Sequence, residues 1–376
     1  MDELPQELVD RIIDSCDDSR SLRVCGLVCK RWTYATRSRL FNKLTVYADG
    51  LPHIVDLIDS SSSPILSFIQ NLTLNVAPDA LDNTLLARLH PCPNLRRITV
   101  LGRDANQLRS GDAMLPDQLH AIQPHLRSWV ADSPDSISSL HLNLPTTGLS
   151  LETVMGVITS FPCLRVLHVE GFLAHEPAPP PSVTLECPLQ TLSVQGCGKA
   201  LFSWLLTLPS VPALSSLSVG PFDDDVKPLI RFIQDACSGL RSLKLDNTGT
   251  SWDEALSQTR DILQHIPQGL QHFSCQCYFA REIPEILLLL PPEACQRLRS
   301  IKFIVSRTQA VAERDEVSWA DFDGALADPR FKGLLEFTMH ASETGNKNMS
   351  MMTEEVKVLL PRAVARGILR GGSTSD

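Results

Sequence analysis

A few short stretches of this sequence hold residue types that could do chemistry. Cys25 and Cys29 are spaced for one turn of a helix, and Cys275 and Cys277 flank a single glutamine. Neither pair has a partner pair at the spacing of a zinc site. Residues 196–200 (Gly-Cys-Gly-Lys-Ala) lack the first glycine of a phosphate-binding loop and the Ser or Thr that follows its lysine. We therefore predict no metal site, no cofactor and no enzymatic activity.

One acidic run, Asp223-Asp224-Asp225, is compatible with two interpretations. Three adjacent carboxylates could hold a cation. The start of a helix predicts the same residues, because an aspartate caps the first turn and favours the positive end of the helix dipole. The pattern favours the helix start.

Composition limits the classes of partner. The chain has 376 residues, a net charge of −9 and a pI of about 5.6. Nucleic-acid binding needs a basic footprint, so we expect no nucleic-acid partner. The longest aliphatic run, residues 286–290, is too short to span a bilayer, and the charged start does not read as a signal peptide. We expect a cytoplasmic or nuclear location, no membrane partner, and 11 reduced, mostly buried cysteines.

The first structural element predicted from the sequence is an N-terminal helical segment of about 40 residues. Leu8 and Ile12 share a helix face, a polar break follows at 17–21, and Leu22, Cys25 and Val28 continue at helical spacing. A third helix is predicted around Trp32. Such a segment buries too little surface to be stable alone, so it needs a neighbour in the chain or in another protein.

This segment resembles the F-box, from its opening Leu4-Pro5 with Glu7-Leu8 to its closing Leu40-Phe41. The resemblance implies docking on a Skp-type adaptor, with some of the matching residues packing the F-box itself. The matching positions are Leu4, Pro5, Leu8, Ile12, Leu22, Val28, Cys29 and Trp32. The alternative is an ordinary helical cap on the domain that follows.

Beyond residue 41, an apolar–x–x–apolar–x–apolar pattern repeats eleven times, as in Leu95/Ile98/Val100 and Leu164/Leu167/Val169. From Leu164 to Leu270 its copies are 25, 25, 26 and 30 residues apart. The last two apolar positions alternate with polar ones, as in a strand, and the intervening stretches have helical patterns. Neither element can bury its apolar face alone, so successive units must stack.

The predicted fold class is therefore α/β: an N-terminal all-α F-box of three short helices (1–43), then a solenoid (44–376) with a parallel concave sheet and a C-terminal cap. The longer step from Ile98 to Leu140 predicts an extra helix around Gln118–Val130. The pattern resembles a degenerate leucine-rich repeat. The Asn or Cys expected three residues after each copy is present only as Cys197, with Phe172, Phe222, Thr248 and Tyr278 in the equivalent places.

Strand alternation also predicts which polar side chains face outward, onto the concave surface that solenoids use for binding. These are Arg97, Thr99, His168, Glu170, Ser193, Gln195, Ser216, Ser218, Lys244, Asp246, His272, Ser274, Lys302 and His340. The basic groups toward both ends are compatible with an acidic or phosphorylated substrate. Mixed polar residues are also what any solvated sheet face carries.

An F-box joined to leucine-rich repeats is similar to the substrate receptors of SCF-type cullin–RING ubiquitin ligases. The resemblance implies that the adaptor links the chain to the ligase while the repeats bind an unknown protein substrate. The receptor would do no bond chemistry. The alternative is a repeat scaffold that binds partners without a ligase.

Overall fold

The chain forms two compact units in a computed structural model: Met1–Ala174 with Glu186–Pro188, and His175–Leu185 with Leu189–Asp376. We refer to them as the first and the second unit. The structure describes residues 4–16, 18–47, 54, 65–76, 92–102, 118–132, 136–149, 151–173, 185–196, 198–220, 225–246, 252–277, 279–306, 318–342, 348–350 and 354–370.

Three helices open the first unit: α1 (Gln6–Asp14), α2 (Ser19–Cys25) and α3 (Lys30–Leu40). Pro5 precedes α1, where a missing N–H is tolerated. Asp18 caps α2, because its Oδ1 accepts a 2.7 Å hydrogen bond from the Ser21 backbone N–H. Hydrogen bonding from the Ser21 side chain, and then from its backbone N–H, lowers the pKa of Asp18.

Five parallel strands follow in the first unit: β1 (Lys43–Val46), β2 (Asn71–Val76), β3 (Arg97–Gly102), β4 (Ser139–Leu149) and β5 (Val166–Leu173). Its other helices are a 3₁₀ helix (Ile65–Phe68), α4 (Gln118–Asp132) and α5 (Leu151–Ile158). The extra helix predicted between the third and fourth repeats is confirmed by α4.

The second unit continues the strand–helix alternation with β6 (Thr191–Gln195), β7 (Ser216–Val219), β8 (Ser242–Asp246), β9 (His272–Cys277), β10 (Ser300–Ser306) and β11 (Glu336–Ser342). Neighbours among these six strands pair in parallel, and β12 (Asn348–Ser350) is antiparallel to β11. The helices are α6 (Gly198–Thr207), α7 (Lys227–Ala236), α8 (Trp252–Leu263), α9 (Ile283–Leu289), α10 (Pro292–Cys295), α11 (Trp319–Ala327), α12 (Glu354–Leu359) and α13 (Pro361–Ala365). Short 3₁₀ helices span Ala280–Glu282 and Pro329–Phe331.

The predicted repeat register is confirmed by the strand pairing. Leu72, Ile98, Leu140 and Leu167 lie side by side across the first unit, and each is at most 1% exposed. The second unit has the same arrangement, with residues Leu192, Leu217, Leu243, Phe273, Ile301 and Phe337 at most 1% exposed. Burying each such side chain stabilises the fold by about 1.5–3 kcal/mol of free energy, so stacking of successive units is favoured.

A repeated backbone junction starts most strands. The carbonyl of Gln70, just before β2, accepts hydrogen bonds from the backbone N–H groups of Arg96 and Arg97 at 2.8 and 3.0 Å. The same paired bonds converge on the carbonyls of Asn42, Arg96, Ser138, Gln190, Ser215, Arg241, Gln271 and Arg299. Because this junction uses only backbone atoms, the repeats stack regularly although the Asn or Cys side-chain ladder is missing.

The sheet edge at β11 is covered by the C-terminal segment. Phe337 donates its backbone N–H to the Ile368 carbonyl at 2.7 Å, and its carbonyl accepts from Arg370 at 3.1 Å. Further along, β12 pairs with β11. An open edge is a template for aggregation, and this pairing satisfies part of the edge of β11.

Candidate interaction surfaces

The three N-terminal helices have a small core of their own. Val9, Ile13, Leu22 and Trp32 are between 1% and 8% exposed and form one cluster. Leu4 and Cys29 pack partly against it. These four core residues come from all three helices, so they fix how the helices pack together.

A second set of apolar residues on the same helices points into solvent. Leu8 is 44% exposed, Ile12 40% and Val28 42%. Val24 and Leu27, in and just after α2, are 61% and 87% exposed. Exposed apolar side chains that are grouped in one segment are typical of a docking surface.

The eight predicted adaptor positions therefore divide into three groups. Pro5, Leu8, Ile12 and Val28 are exposed, Leu4 and Cys29 are half-buried, and Leu22 and Trp32 lie in the core. Val24 and Leu27 were not among the positions predicted from the sequence. The sequence does distinguish them, because both are apolar but lie outside the helix face that Leu22 and Cys25 define.

Arg31, near the start of α3, links that helix to the start of α1. Its Nε donates to Gln6 Oε1 at 3.2 Å, and its Nη1 donates to the Leu4 carbonyl at 3.3 Å. Val28 lies two residues before α3, and Leu8 lies in the first turn of α1. These bonds place both side chains at the same end of the cluster.

The outward strand face of the first unit carries a histidine pair. His141 on β4 and His168 on β5 are register partners, with ring centroids 5.4 Å apart. His168 Nε2 lies 3.6 Å from Glu170 Oε2, which accepts a 2.7 Å hydrogen bond from Asn143 Nδ2. The predicted outward residues Arg97 and Thr99 lie on β3, the next strand.

The sequence analysis missed His141, although it occupies the same position of the repeat pattern as His168. Desolvation lowers the pKa of His141 to about 4, with smaller contributions from His168 and Arg97. His141 is therefore uncharged at neutral pH. The face presents this neutral imidazole next to the side chains of His168 and Glu170.

The outward face of the second unit is richer in hydroxyl groups. One row of outward side chains crosses five neighbouring strands, β6 to β10. Strand register aligns its members, which are Ser193, Ser218, Lys244, Ser274 and Lys302. These side chains are half-buried, as are Ser216, Gln195 and Asp246, whereas His272 is exposed. The predicted outward orientation holds for this set. The row across β6 to β10 carries two lysines, whereas Asp246 lies in the neighbouring row, so the face as a whole has no single sign of charge.

His340 is an exception among the predicted outward residues. It is only 7% exposed, and its neighbours on the same face, Ile304 and Thr338, are also 7% exposed. The prediction that His340 is available on the binding face is therefore wrong. Strand alternation predicts on which side of the sheet a side chain lies, but it does not predict whether other residues cover that side.

Most of the described cysteines are buried like small apolar residues, as predicted, and Cys16, Cys25, Cys29 and Cys163 are partly buried. Cys275 and Cys277 are buried on β9, and burial raises the pKa of both thiols. Burial likewise raises the pKa of Cys92 and Cys237 to about 12. The ten described cysteines are free thiols. Thiols held in the protonated form are poor nucleophiles and poor metal ligands.

The remaining residues of the motifs examined in the sequence lie mostly outside the described residues: Cys197, Asp223 and Asp224, together with Phe222, Thr248 and Tyr278 of the incomplete ladder. Asp225 is described. Its Oδ1 accepts a hydrogen bond from the Lys227 backbone N–H at 3.1 Å, next to the start of α7. That contact is the one expected of a residue at a helix start.

Comparison with known proteins gives a limited result. No protein-family model matches the sequence, and no curated protein matches it. Among solved structures, the fold is similar to that of the leucine-rich repeat-containing protein LegL7 from Legionella pneumophila. The two share 13% identity with a TM-score of 0.49, over 88% of this chain and 94% of that one. At these values the similarity carries no functional argument.

The architecture of the chain itself is leucine-rich-repeat-like, since parallel strands and helices alternate in stacked units. Repeat folds of this kind act as protein-interaction scaffolds, through surfaces built from successive repeats. None of the helices in the described part of the chain has the length and apolar content needed to cross a membrane.

Proposed function

We propose that this chain is a substrate-recognition subunit of an SCF-type cullin–RING ubiquitin ligase. Its N-terminal helices dock a Skp-type adaptor, and its repeat surface binds the substrate protein. One observation carries the proposal: α1 to α3 have a complete core, yet Leu8, Ile12 and Val28 remain exposed. A helical cap made only to shield the repeats would turn its apolar residues inward.

The concentration of exposed apolar residues supports a docking role. Twelve large apolar side chains are exposed among the described residues, and six of them lie between Leu8 and Tyr34. Half of the set thus falls within a short N-terminal segment rather than being scattered, as single exposed apolar residues usually are. Apolar anchors that enter a groove of the partner give such an interface most of its binding energy.

In this role the chain does no bond chemistry. The adaptor tethers it to the ligase, and the polar strand faces hold the substrate near a charged ubiquitin carrier, which raises the local concentration of the reacting groups. The candidate contacts are the outward residues described above: Arg97, Thr99, His168 and Glu170 in the first unit, and Ser193, Ser216, Ser218, Lys244, His272 and Lys302 in the second. The proposed location is the cytoplasm, the nucleus or both.

The proposal is tested by co-expression with a Skp-type adaptor followed by gel filtration. The variant Leu8→Ala/Ile12→Ala/Val28→Ala removes exposed side chains, so it should fold normally while losing the adaptor. The matched control is Leu288→Ala/Leu335→Ala/Val358→Ala, whose residues are 60%, 62% and 78% exposed in the second unit. We expect a 1:1 complex for wild type and control, and none for the N-terminal variant.

A repeat scaffold without a ligase is the competing function, and one set of contacts favours it. The Asn42 carbonyl, just after α3, accepts from the backbone N–H groups of Gln70 and Asn71, each at 2.9 Å. Tyr34 on α3 also packs against Phe68. The helices are thus continuous with the first repeat, as a cap would be. A folded wild-type chain that does not bind the adaptor would establish this reading.

A further inference from the structure

Four outward side chains of the first unit form a square on β3 and β4. Strand register places Arg97 opposite Ser139 and Thr99 opposite His141. The apolar residues that alternate with them, such as Ile98, are buried on the other face, so all four side chains lie on the outward face. Arg97 is close enough to His141 for its charge to act on the imidazole. The square therefore gathers two hydroxyls, an imidazole and a guanidinium.

The hydrogen-bonding groups of this square are not used within the described part of the chain. Ser139 is only 6% exposed, and its hydroxyl has no hydrogen-bond partner among the described residues. The Thr99 hydroxyl, the His141 ring nitrogens and the Arg97 guanidinium likewise form no hydrogen bond or ion pair with any residue that the structure describes. A buried hydroxyl without a partner destabilises a fold, so this arrangement points to a ligand that supplies the missing partner.

The square offers mainly donors. The guanidinium of Arg97 presents a planar fork of N–H groups that matches a carboxylate, and the hydroxyls of Thr99 and Ser139 can donate beside it. His141 is uncharged at neutral pH, so its ring has one N–H donor and one acceptor nitrogen. A carboxylate can accept from the guanidinium and the hydroxyls, while the acceptor nitrogen takes a backbone N–H of the segment that carries the carboxylate.

The charges around the square favour a ligand with one negative charge. Arg97 supplies the one permanent cation of the square. Glu170 lies on the neighbouring strand β5, where its carboxylate accepts from Asn143 at 2.7 Å and lies 3.6 Å from His168. A phosphate monoester carries about two negative charges and would leave one of them uncompensated near Glu170. A carboxylate carries one, which Arg97 balances.

We propose that this square binds the carboxylate of an aspartate or glutamate side chain in an extended segment of the substrate protein. The inference rests on the proposed function, because it names the chemical group that the outward face of the first unit recognises. Arg97 is exposed, and Thr99 and His141 are half-buried. The square thus opens to solvent and can receive a side chain from a segment that runs over the sheet.

The test titrates the full chain, labelled with carbon-13 in its histidine rings, and follows the imidazole resonances by NMR. The probes are acetylated, amidated heptapeptides of glycine and serine with glutamate, glutamine or phosphoserine at the centre. We expect the glutamate peptide to shift the His141 and His168 resonances and to bind about tenfold or more tightly than the glutamine peptide. The phosphoserine peptide should bind more weakly than the glutamate peptide. Equal or tighter binding of either comparison peptide, or no shift with glutamate, would overturn the inference.

Two variants separate binding from folding. Arg97→Gln should weaken binding of the glutamate peptide by about tenfold or more, because the charged fork is lost. Ser139→Ala should weaken it by about tenfold, yet its urea midpoint should equal or exceed that of wild type, because an unpartnered buried hydroxyl is removed.

The matched control is Arg241→Gln/Ser242→Ala, which changes an exposed arginine and a half-buried outward serine of the second unit. It should bind the glutamate peptide as wild type does. Unchanged affinity in Arg97→Gln and Ser139→Ala, or an equal loss in the control, would contradict the assignment of the square. Free acetate is a further probe, and binding of acetate as tight as that of the peptide would assign the square to a small metabolite instead of a protein.

Adaptor binding by the same proteins keeps this inference separate from the proposed function. A chain that forms the adaptor complex but does not distinguish glutamate from glutamine overturns the carboxylate site alone. A chain that binds the glutamate peptide through Arg97 but ignores the adaptor overturns the ligase role and leaves a repeat scaffold that binds carboxylates.

Discussion

Asp323 Oδ1 accepts a 3.0 Å hydrogen bond from the backbone N–H of Ala363, 40 residues later in the chain. Its Oδ2 accepts from the Arg362 N–H at 3.2 Å. Asp323 is 5% exposed on α11, and the two donors belong to the first turn of α13. A single carboxylate thus caps the terminal helix and ties it to the last large helix.

Asp323→Ala should destabilise the second unit by about 2–3 kcal/mol, because two N–H groups at a helix start lose their acceptor. Asp323→Asn keeps one acceptor oxygen and should lose less. Hydrogen exchange measured by mass spectrometry checks this, with faster exchange expected in residues 361–370. Unchanged exchange there in the alanine variant would contradict the capping role.

Arg330 closes the C-terminal end of α9 in a comparable way. Its Nη2 donates to the Leu287 carbonyl at 2.9 Å, and its Nη1 donates to Leu288 and Leu290 at 3.1 and 3.3 Å. A cation at this end also favours the helix dipole. Arg330→Ala should cost about 2–3 kcal/mol of unfolding free energy, and Arg330→Lys should restore only part of it, since an ammonium lacks the planar fork. Urea denaturation measures both. Full rescue by lysine would show that charge alone matters.

Tyr34 and Phe68 link the helical cluster to the first repeat, with an edge-to-face ring contact at 5.2 Å. A double-mutant cycle of Tyr34→Leu and Phe68→Leu should give a coupling energy of about 0.5–1.5 kcal/mol. Denaturation of the four proteins supplies the values. A coupling indistinguishable from zero would mean that the aromatic contact does not hold the helices to the repeat.

Burial of His141 makes the stability of the first unit depend on pH. The folded pKa of His141 is about 4, below its ordinary value of 6.5, so the unfolded chain binds the proton more tightly. His141 therefore lowers stability as pH falls from 6.5 toward 4, and this effect is absent above 6.5. The groups facing it are His168, Glu170, Asn143 and Arg97.

When the pH is lowered from 7 to 5, we expect the free energy of unfolding to decrease less in His141→Gln than in wild type. His265→Gln, at an exposed histidine of the second unit, is the control. Denaturant titrations at the two pH values supply the comparison. An equal loss in His141→Gln and wild type would show that His141 does not cause the acid sensitivity.

Much of the repeat architecture could be predicted from sequence, because apolar spacing reports directly on which positions must be buried. The pattern that aligned Ile98, Leu140 and Leu167 holds in the strand register, in which Leu140 lies between the other two. The helix ends can differ from the predicted ones by a few residues, as with α4, which ends at Asp132 rather than near Val130. End turns depend on local capping, which spacing does not encode.

The interaction surfaces were less predictable, for two physical reasons. A helix motif contains both core and docking residues of the same apolar type, so Leu22 and Leu8 cannot be separated without knowing the packing. Burial of the outward face also depends on distant segments, which is why His340 was misplaced.

The most direct test of the central claim is hydrogen exchange of the full chain with and without a purified Skp-type adaptor. The proposed receptor role predicts slower exchange in residues 6–30 on adaptor addition, with little change on the outward strand faces of either unit. Unchanged exchange in residues 6–30 at saturating adaptor, or protection confined to the strand faces, would contradict it.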